Sequence, residues 1–324
     1  MSTTSSKQVQ LPQRMKAAVF ERFGQPEEMH IAEIPVPELG EGELLIRVET
    51  AGVGSWDPVL GEGSFGAEHA RFPLVLGSDG AGTVVARGPG PGHFDVGDRV
   101  YAWGFMKPKG GFFAEYAAVS EEEVESIPPG LSVAEAGVLA VDGLTALAAI
   151  DQLQLAASQS LLILGASGGV GHLAVQLAKR LGVRVFAVAS GRDGVELVRR
   201  LGADAAVDGR TADVVAEAAS FPPGGMDAAI VLVGSDVVGP LALVRRGGRV
   251  VYPNGVEPAP GEIPGVSVRA FDGYSGRQAL RRLNEMIEMA PFRVEIGREY
   301  SLDQAPRALR DVAKHHLGKL AIAV

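Results

Sequence analysis

LLILGASGGVGHLAVQLAKRLG, residues 161–182, carries an apolar strand into a turn of small residues and on, without interruption, into an amphipathic helix. Ala166, Ser167, Gly168, Gly169, Val170 and Gly171 form a G-x-G-x-x-G pattern with alanine in the first place, in the strand–turn–helix context the pattern requires. Gly168 lets the backbone approach a pyrophosphate, Gly171 lets the helix pack on the strand, and the helix N-terminus offers free N–H groups to phosphate oxygens. The stretch reads as a dinucleotide-binding turn; a close-packed turn without a ligand is the plainer alternative.

Downstream, VRVFAVA, AAV, MDAAIVLV, GRVVYP and VSVRAF are apolar strands alternating with helical segments such as GVELVRRLG and 275–290. Such alternation predicts βαβ units and a doubly wound parallel sheet buried on both faces. Upstream, MKAAVFERFG, ELLIRVETAGVG, GAGTVVARG, DRVYAWG and FFAEYAAV alternate apolar and polar residues between glycine- and proline-rich breaks, the pattern of antiparallel strands. The period becomes helical after Pro128 and Pro129, where Ser132 can cap a helix. The C-terminal stretch from residue 291 returns to strand, helix, strand. The fold class is therefore α/β. The expected division is 129–290 as the cofactor-binding unit and 15–128 with 291–324 as a second, discontinuous unit, after a loose tail at 1–14.

The chain has 324 residues, a net charge of −9 and no cysteine. No lysine/arginine block exceeds a pair, so a nucleic-acid or anionic-membrane partner is not expected. The lack of cysteine removes disulfides, thiolate nucleophiles and Cys-containing zinc sites together. The polar N-terminal stretch MSTTSSKQVQLPQR lacks the apolar core of a secretory signal, and a cytoplasmic protein is expected.

An NAD site places a carboxylate at the end of its second strand to bind the ribose 2′-OH. Here that strand ends in Ser190, Gly191 and Arg192, which offer room and positive charge to a 2′-phosphate and favour NADP(H). Asp193 beside them counts against that reading, and Arg192 also reads as a solvated surface arginine.

The segments MKAAVF, AGVGSWDPVLGEG, PLVLGSDGAGTVVARG, VGDRVYAW, GGFFAEYAAV, AVDGLTALAAI, GASGGVG, RRLGAD, GGRVV and HLGKLAIAV occur in an order that resembles the zinc-independent branch of the medium-chain dehydrogenase/reductase superfamily, around the NADPH:quinone oxidoreductases. The resemblance spans Met15 to the C-terminus. It implies a GroES-like β-barrel catalytic domain, a Rossmann domain, a ligand cleft between them and a homodimer. It also implies cofactor roles for Thr145, Val233, Gly234, Asn254, Gly255 and Lys319, beside the turn residues 166–171, Ser190 and Arg192. Arg210, in a stretch Asp208–Gly209–Arg210 where the family often has Asn-Tyr-Arg, is expected to substitute as a 2′-phosphate contact.

Zinc-containing relatives have His and Glu where this chain has Ser78 and Asp79, and a cysteine that AGVGSWD lacks. The positions at hand supply at most Asp57 and Asp79, so no metal is expected, and the six histidines read as surface or packing residues. Asp79 reads as a structural carboxylate at the floor of the cleft. Hydride transfer without a Lewis acid needs a substrate that is already electrophilic, such as a quinone or an α,β-unsaturated carbonyl. No single catalytic side chain stands out. Candidate pocket residues are Ser55, Trp56, Phe65, Trp103, Phe105, Met106 and Tyr274, with Ser55 and Tyr274 as donors to a carbonyl; the aromatic ones read equally well as core. Gly54, Val59 and Phe65 stand where quinone reductases often have Asn and two Tyr, which makes the pocket drier. An enoyl-thioester reductase and a nucleotide-binding protein with little turnover are the competing functional readings.

Overall fold

The computed structural model describes residues 11–324 except 65, 106–107, 220, 222–223 and 236. Phe65 and Met106 lie outside the described residues, as does most of the expected N-terminal tail. Of its last residues, Gln13 O accepts the Val36 N–H at 3.1 Å and Arg14 opens a strand.

The N-terminal segment forms β1 (Arg14–Phe20), β2 (His30–Pro35), β3 (Glu43–Val53), α1 (Trp56–Gly61), β4 (Leu74–Val75), β5 (Asp79–Arg87), β6 (Arg99–Trp103), β7 (Tyr116–Ser120) and β8 (Val124–Ser126). Next come α2 (Val133–Gly137), α3 (Ala140–Leu153), β9 (Ser160–Leu164), α4 (Gly169–Arg180), β10 (Arg184–Ala189), α5 (Gly191–Arg200), β11 (Ala205–Asp208) and α6 (Val214–Ala218). The chain continues through β12 (Met226–Val231), α7 (Val238–Leu241), β13 (Val244–Pro253), β14 (Ser267–Phe271), α8 (Arg277–Glu288), β15 (Ile296–Ser301), α9 (Ala305–Asp311) and β16 (Lys319–Ala323).

The middle strands form a six-stranded sheet in the order β11-β10-β9-β12-β13-β14, every pair parallel. Side chains alternate across a strand, so a sheet covered on both faces needs apolar residues at every position. That is what the apolar runs supply. Leu161 and Ile163 of β9, with Val185 and Ala187 of β10, enter the core beneath α3 and α4, while Leu162, Leu164, Phe186 and Val188 enter a separate cluster on the opposite face. Strand order reverses at β9, which has β10 on one side and β12 on the other. Ligands of such sheets bind in the crevice outside the strand ends at this point.

Ser132 caps α2 as its spacing suggests: its hydroxyl accepts the Glu135 N–H, and the Glu135 carboxylate accepts the Ser132 N–H at 2.9 Å. At the N-terminal edge of the parallel sheet, Asp227 ties β12 to β9. Its carboxylate accepts from Ser160 N–H (2.8 Å), Ser160 hydroxyl (2.9 Å) and the Arg245 guanidinium (2.6 Å).

The expected barrel is open rather than closed. β2-β1-β4 form one sheet and β15-β16-β3-β5-β6-β8 another, with β7 also on β3. The second edge of β3 is divided, residues 43–47 pairing with β7 and 50–53 with β16. The seam toward β1 is bridged by irregular chain: Ala18 N–H donates to Phe113 O (2.8 Å) and Glu115 N–H to Lys16 O (3.0 Å). A two-residue β4 and the positive-φ turns at Gly77 and Gly110 leave no run long enough for a ladder there. The C-terminal strand β16 pairs antiparallel with β3, Ala321 opposite Gly52.

Because Asp227 acts at the sheet edge remote from the ligand-binding ends, Asp227→Ala is expected to lower stability by about 2–3 kcal/mol, by orphaning the Ser160 donors and the Arg245 charge. Denaturant unfolding measures this. Dinucleotide affinity is expected to stay unchanged.

Candidate dinucleotide and substrate site

The glycine-rich turn leaves β9 through Gly165, at φ +88°, and enters α4 at Gly168, whose φ of −81° and ψ of −175° are extended. No side chain caps α4, so its first-turn amides keep their donors. A Cβ on Gly168 would have only Gly165 O near it, at 3.6 Å. Gly171 is the opposite case, since a Cβ there would collide with Gly165 O and Ala166 Cα. Open space at 168, exposed donors and a positive helix end fit a pyrophosphate. The turn is braced on both sides: Ala166 N–H donates to Val188 O (2.9 Å), Ser190 N–H to Ser167 Oγ (3.2 Å) and Gly318 N–H to Ser167 O (2.9 Å). His172, buried in the first turn of α4, pairs through Nδ1 with Gly168 O at 2.9 Å and accepts the Glu295 N–H at Nε2, 3.0 Å. Burial lowers its pKa and keeps the ring neutral, so it is a packing residue.

Around the turn stand the ends of the neighbouring strands. Val233 packs over Gly165, and Gly234 meets the backbone of Glu257 and Pro258 so closely that no Cβ fits. Asn254 donates its amide to Asp272 (2.6 Å), and Gly255 has φ +96°. The Thr145 hydroxyl donates to Val141 O one turn back in α3 (2.8 Å), beside Gly273. Beyond β10, Arg192 is solvent-exposed and pairs with Glu196 at 2.9 Å. Asp208 accepts from Gly191 N–H (2.9 Å) and Arg210 N–H (3.0 Å), which shapes the loop that presents Arg210. Asp193 is held by His315 at 3.1 Å and by Gly194 N–H; the His315 hydrogen bond and the Gly194 N–H lower its pKa.

Below the turn lies a buried charge cluster. The Lys319 ammonium contacts Asp79, lies 3.4 Å from Asp142 Oδ1 and sits 4.8 Å from the Trp56 ring centre. Gly52 makes room for it, since a Cβ there would lie 2.8 Å from Asp79 Oδ2 and 3.1 Å from Lys319 Cε. The other Asp79 oxygen accepts the Val141 N–H at 2.6 Å, a cap supplied to α3 from β5. Asp57 accepts Gly54 N–H on Oδ2 (2.7 Å), while its buried Oδ1 has no partner. Burial pushes Asp57 up to about 7, against the pull of Gly54 N–H and Lys319. Burial likewise raises Asp79 to about 6, with Lys319 opposing and Asp142 adding to the shift. For Lys319, burial acts downward, but Asp142 and Asp79 outweigh it and hold the ammonium above its ordinary range.

Trp56 Nε1–H donates to Ser78 Oγ at 3.1 Å, so the position that carries His in zinc-containing relatives is an acceptor for indole. Trp103 lies opposite Asp79 in the β5–β6 pairing, Phe105 packs on the open-barrel core, and Ser55 precedes α1 without capping it. The structure thus gathers Trp56, Ser78, Asp79, Trp103 and Lys319. It does not gather Tyr274, whose hydroxyl donates to Asp151 (3.0 Å) at the far end of α3, where Arg282 also binds; that donor is committed elsewhere. Nor is Lys319 free to reach a ligand, being locked between two carboxylates. Among the described residues no group of three or more His, Cys, Asp or Glu side chains is arranged to hold a metal ion. Sequence reading missed Asp142, although a lone carboxylate within the apolar run GVLAVDGLTALAAI is a visible signal.

Residues 40–129 match the model of the alcohol dehydrogenase GroES-like domain, and residues 169–271 that of zinc-binding dehydrogenases. A chloroplastic NADPH-dependent alkenal/one oxidoreductase of Arabidopsis thaliana is 32% identical over 285 residues, covering 86% of this chain and 70% of that protein. An alcohol dehydrogenase of Geobacillus stearothermophilus is 32% identical over 276 residues, covering 77% and 80%. The solved quinone oxidoreductase of Coxiella burnetii has a TM-score of 0.83 at 28% identity, over 96% of this chain and 99% of that one.

Two outcomes are expected at this site. Gly168→Ala should fold with a nearly unchanged melting temperature yet bind dinucleotide at least about tenfold more weakly, whereas Gly171→Ala should lower the melting temperature itself; thermal unfolding and a fluorescence titration separate them. Asp57 and Asp79 bind protons more tightly folded than unfolded, so stability is fullest below their ordinary range and is lost as pH rises through about 6 and 7. Melting temperature should therefore fall over that interval, and Asp57→Asn should flatten the decline.

Proposed function

The chain belongs to the medium-chain dehydrogenase/reductase superfamily, in its NADPH:quinone oxidoreductase-like part, and from that premise we propose that it is an NADPH-dependent, metal-independent reductase of quinones or α,β-unsaturated carbonyls. The observation that carries this reading is the chemistry at residues 78 and 79. Where zinc-containing relatives present ligands, Ser78 accepts an indole N–H and Asp79 is bound to an ammonium and a helix amide. That donor set does not suit a Lewis-acid cation. It suits a substrate that needs orientation and exclusion of water more than polarisation.

A bound nicotinamide supplies the hydride; the chain does the rest. The α4 amides would hold the pyrophosphate and Gly168 would admit it, while Gly318 bonded to Ser167 keeps the turn in place. Trp56, stacked on Lys319, and Trp103, opposite Asp79, would help to keep water from the buried charges. Support for NADPH over NADH comes from the exposed Arg192, two residues after Ser190, from the exposed Arg210 in the loop that Asp208 ties to Gly191, and from Asp193, which His315 engages. The Arabidopsis relative is itself an NADPH-dependent oxidoreductase, which points the same way.

The reading includes a two-unit division at 128/129 and 290/291, a homodimer and a cytoplasmic location. No helix among the described residues is long and apolar enough to cross a membrane.

Mixing the protein with NADPH and, separately, benzoquinone, an enone and crotonyl coenzyme A should show NADPH consumption with the first two. Consumption with the thioester alone would move the assignment to an enoyl-thioester reductase, and binding of NADPH without turnover of any of them would overturn it. Arg192→Ala should weaken NADPH about five- to tenfold and leave NADH unchanged.

A further inference from the structure

Four ionisable side chains from four elements meet out of contact with water: Asp57 of α1, Asp79 of β5, Asp142 of α3 and Lys319 of β16. Three carboxylates face one ammonium, so a fully ionised cluster would leave two uncompensated negative charges in the interior. Burying unpaired charge is costly enough that such a group takes a proton instead. The unpartnered Asp57 Oδ1 marks where the compensation is thinnest.

This cluster is not isolated from the dinucleotide turn. Asp142 Oδ2 lies so close to Gly169, the first residue of α4, that a Cβ there would collide with it. Its Oδ1 lies 3.4 Å from Lys319, which contacts Asp79. Phosphate charge received at the α4 N-terminus would therefore arrive against one end of a buried chain of carboxylates. Negative charge brought near a carboxylate raises its affinity for a proton. The other titratable group facing Asp142 is His172 of α4, with Glu295 facing the ring in turn. His172 cannot take the proton without giving up the acceptor that holds Glu295 N–H.

We propose that the Asp57–Asp79–Asp142–Lys319 cluster takes up a proton from solvent when the dinucleotide binds at the α4 N-terminus, with Asp142 as the residue that couples the two. The inference rests on the dinucleotide reading given above. Burial already places Asp57 at about 7 and Asp79 at about 6, so a modest added field moves protonation at neutral pH.

The test is calorimetry of NADPH and NADH binding to the full chain at neutral pH in phosphate, HEPES and Tris, whose ionisation heats differ. The observed enthalpy should depend on the buffer with the sign of proton uptake, amounting to roughly half a proton to one proton per dinucleotide. NADH lacks the titrating 2′-phosphate, so uptake seen with both ligands belongs to the protein. Asp142→Asn keeps the size of the side chain and an oxygen toward Lys319, and should reduce the uptake at least about twofold while binding persists. Asp57→Asn, remote from the turn, provides a second reading of the same loss should Asp142→Asn fail to fold. Binding with no buffer dependence, or equal uptake in wild type and in a folded variant, overturns the proposal and leaves the dinucleotide reading standing. No binding of either nucleotide overturns both.

Discussion

An ammonium sealed from water is tolerated only where carboxylates converge on it, and Lys319 makes that demand at the first position of the last strand. Asp79 answers it from the first position of β5, on the other side of β3. The pair is seated because Gly52 between them has no side chain, and because the second Asp79 oxygen holds the start of α3. One contact thus links the C-terminal strand, β5 and the first long helix of the parallel-sheet unit. Removing one partner from a buried pair generally costs about 3–5 kcal/mol, since the other is left uncompensated.

The dinucleotide turn inherits its position from this arrangement. The chain that enters β16 passes the turn before reaching Lys319, with Gly318 bonded to Ser167 and His315 on Asp193 at the start of α5. Asp142 lies on the opposite side, one face on Lys319 and the other on Gly169. The turn is therefore enclosed by α3 on one side and by the C-terminal end of the chain on the other, although its own conformation is set by its glycines.

Legibility in the sequence followed the range of the interactions involved. The parallel sheet was readable because two-sided burial writes unbroken apolar runs, and the start of α2 because Ser132 and Glu135 interact within one turn. The turn at 165–171 was readable because its requirements are steric and local. The open seam of the first unit was not, since closure depends on how β7 and β16 share an edge of β3, far apart in sequence. Helix α1 escaped notice because Pro58 and flanking glycines mimic a loop, and Tyr274 looked available because nothing near it announces Asp151.

By itself, the sequence determined the α/β class, the doubly wound unit, the glycine-rich turn and a chain without thiolate ligands. Periodicity and steric size act between near neighbours, and near neighbours are what a sequence displays. Only the tertiary structure decided which charges meet. Residues 57, 79, 142 and 319 each stand out singly in the sequence, but nothing in it shows that they meet, and the protonation of 57, 79 and 319 is governed by desolvation and by distances of a few ångströms across separate elements. Burial and pairing of that kind belong to the assembled molecule, and so do the Asp79–Lys319 bond and the carboxylate held against the turn.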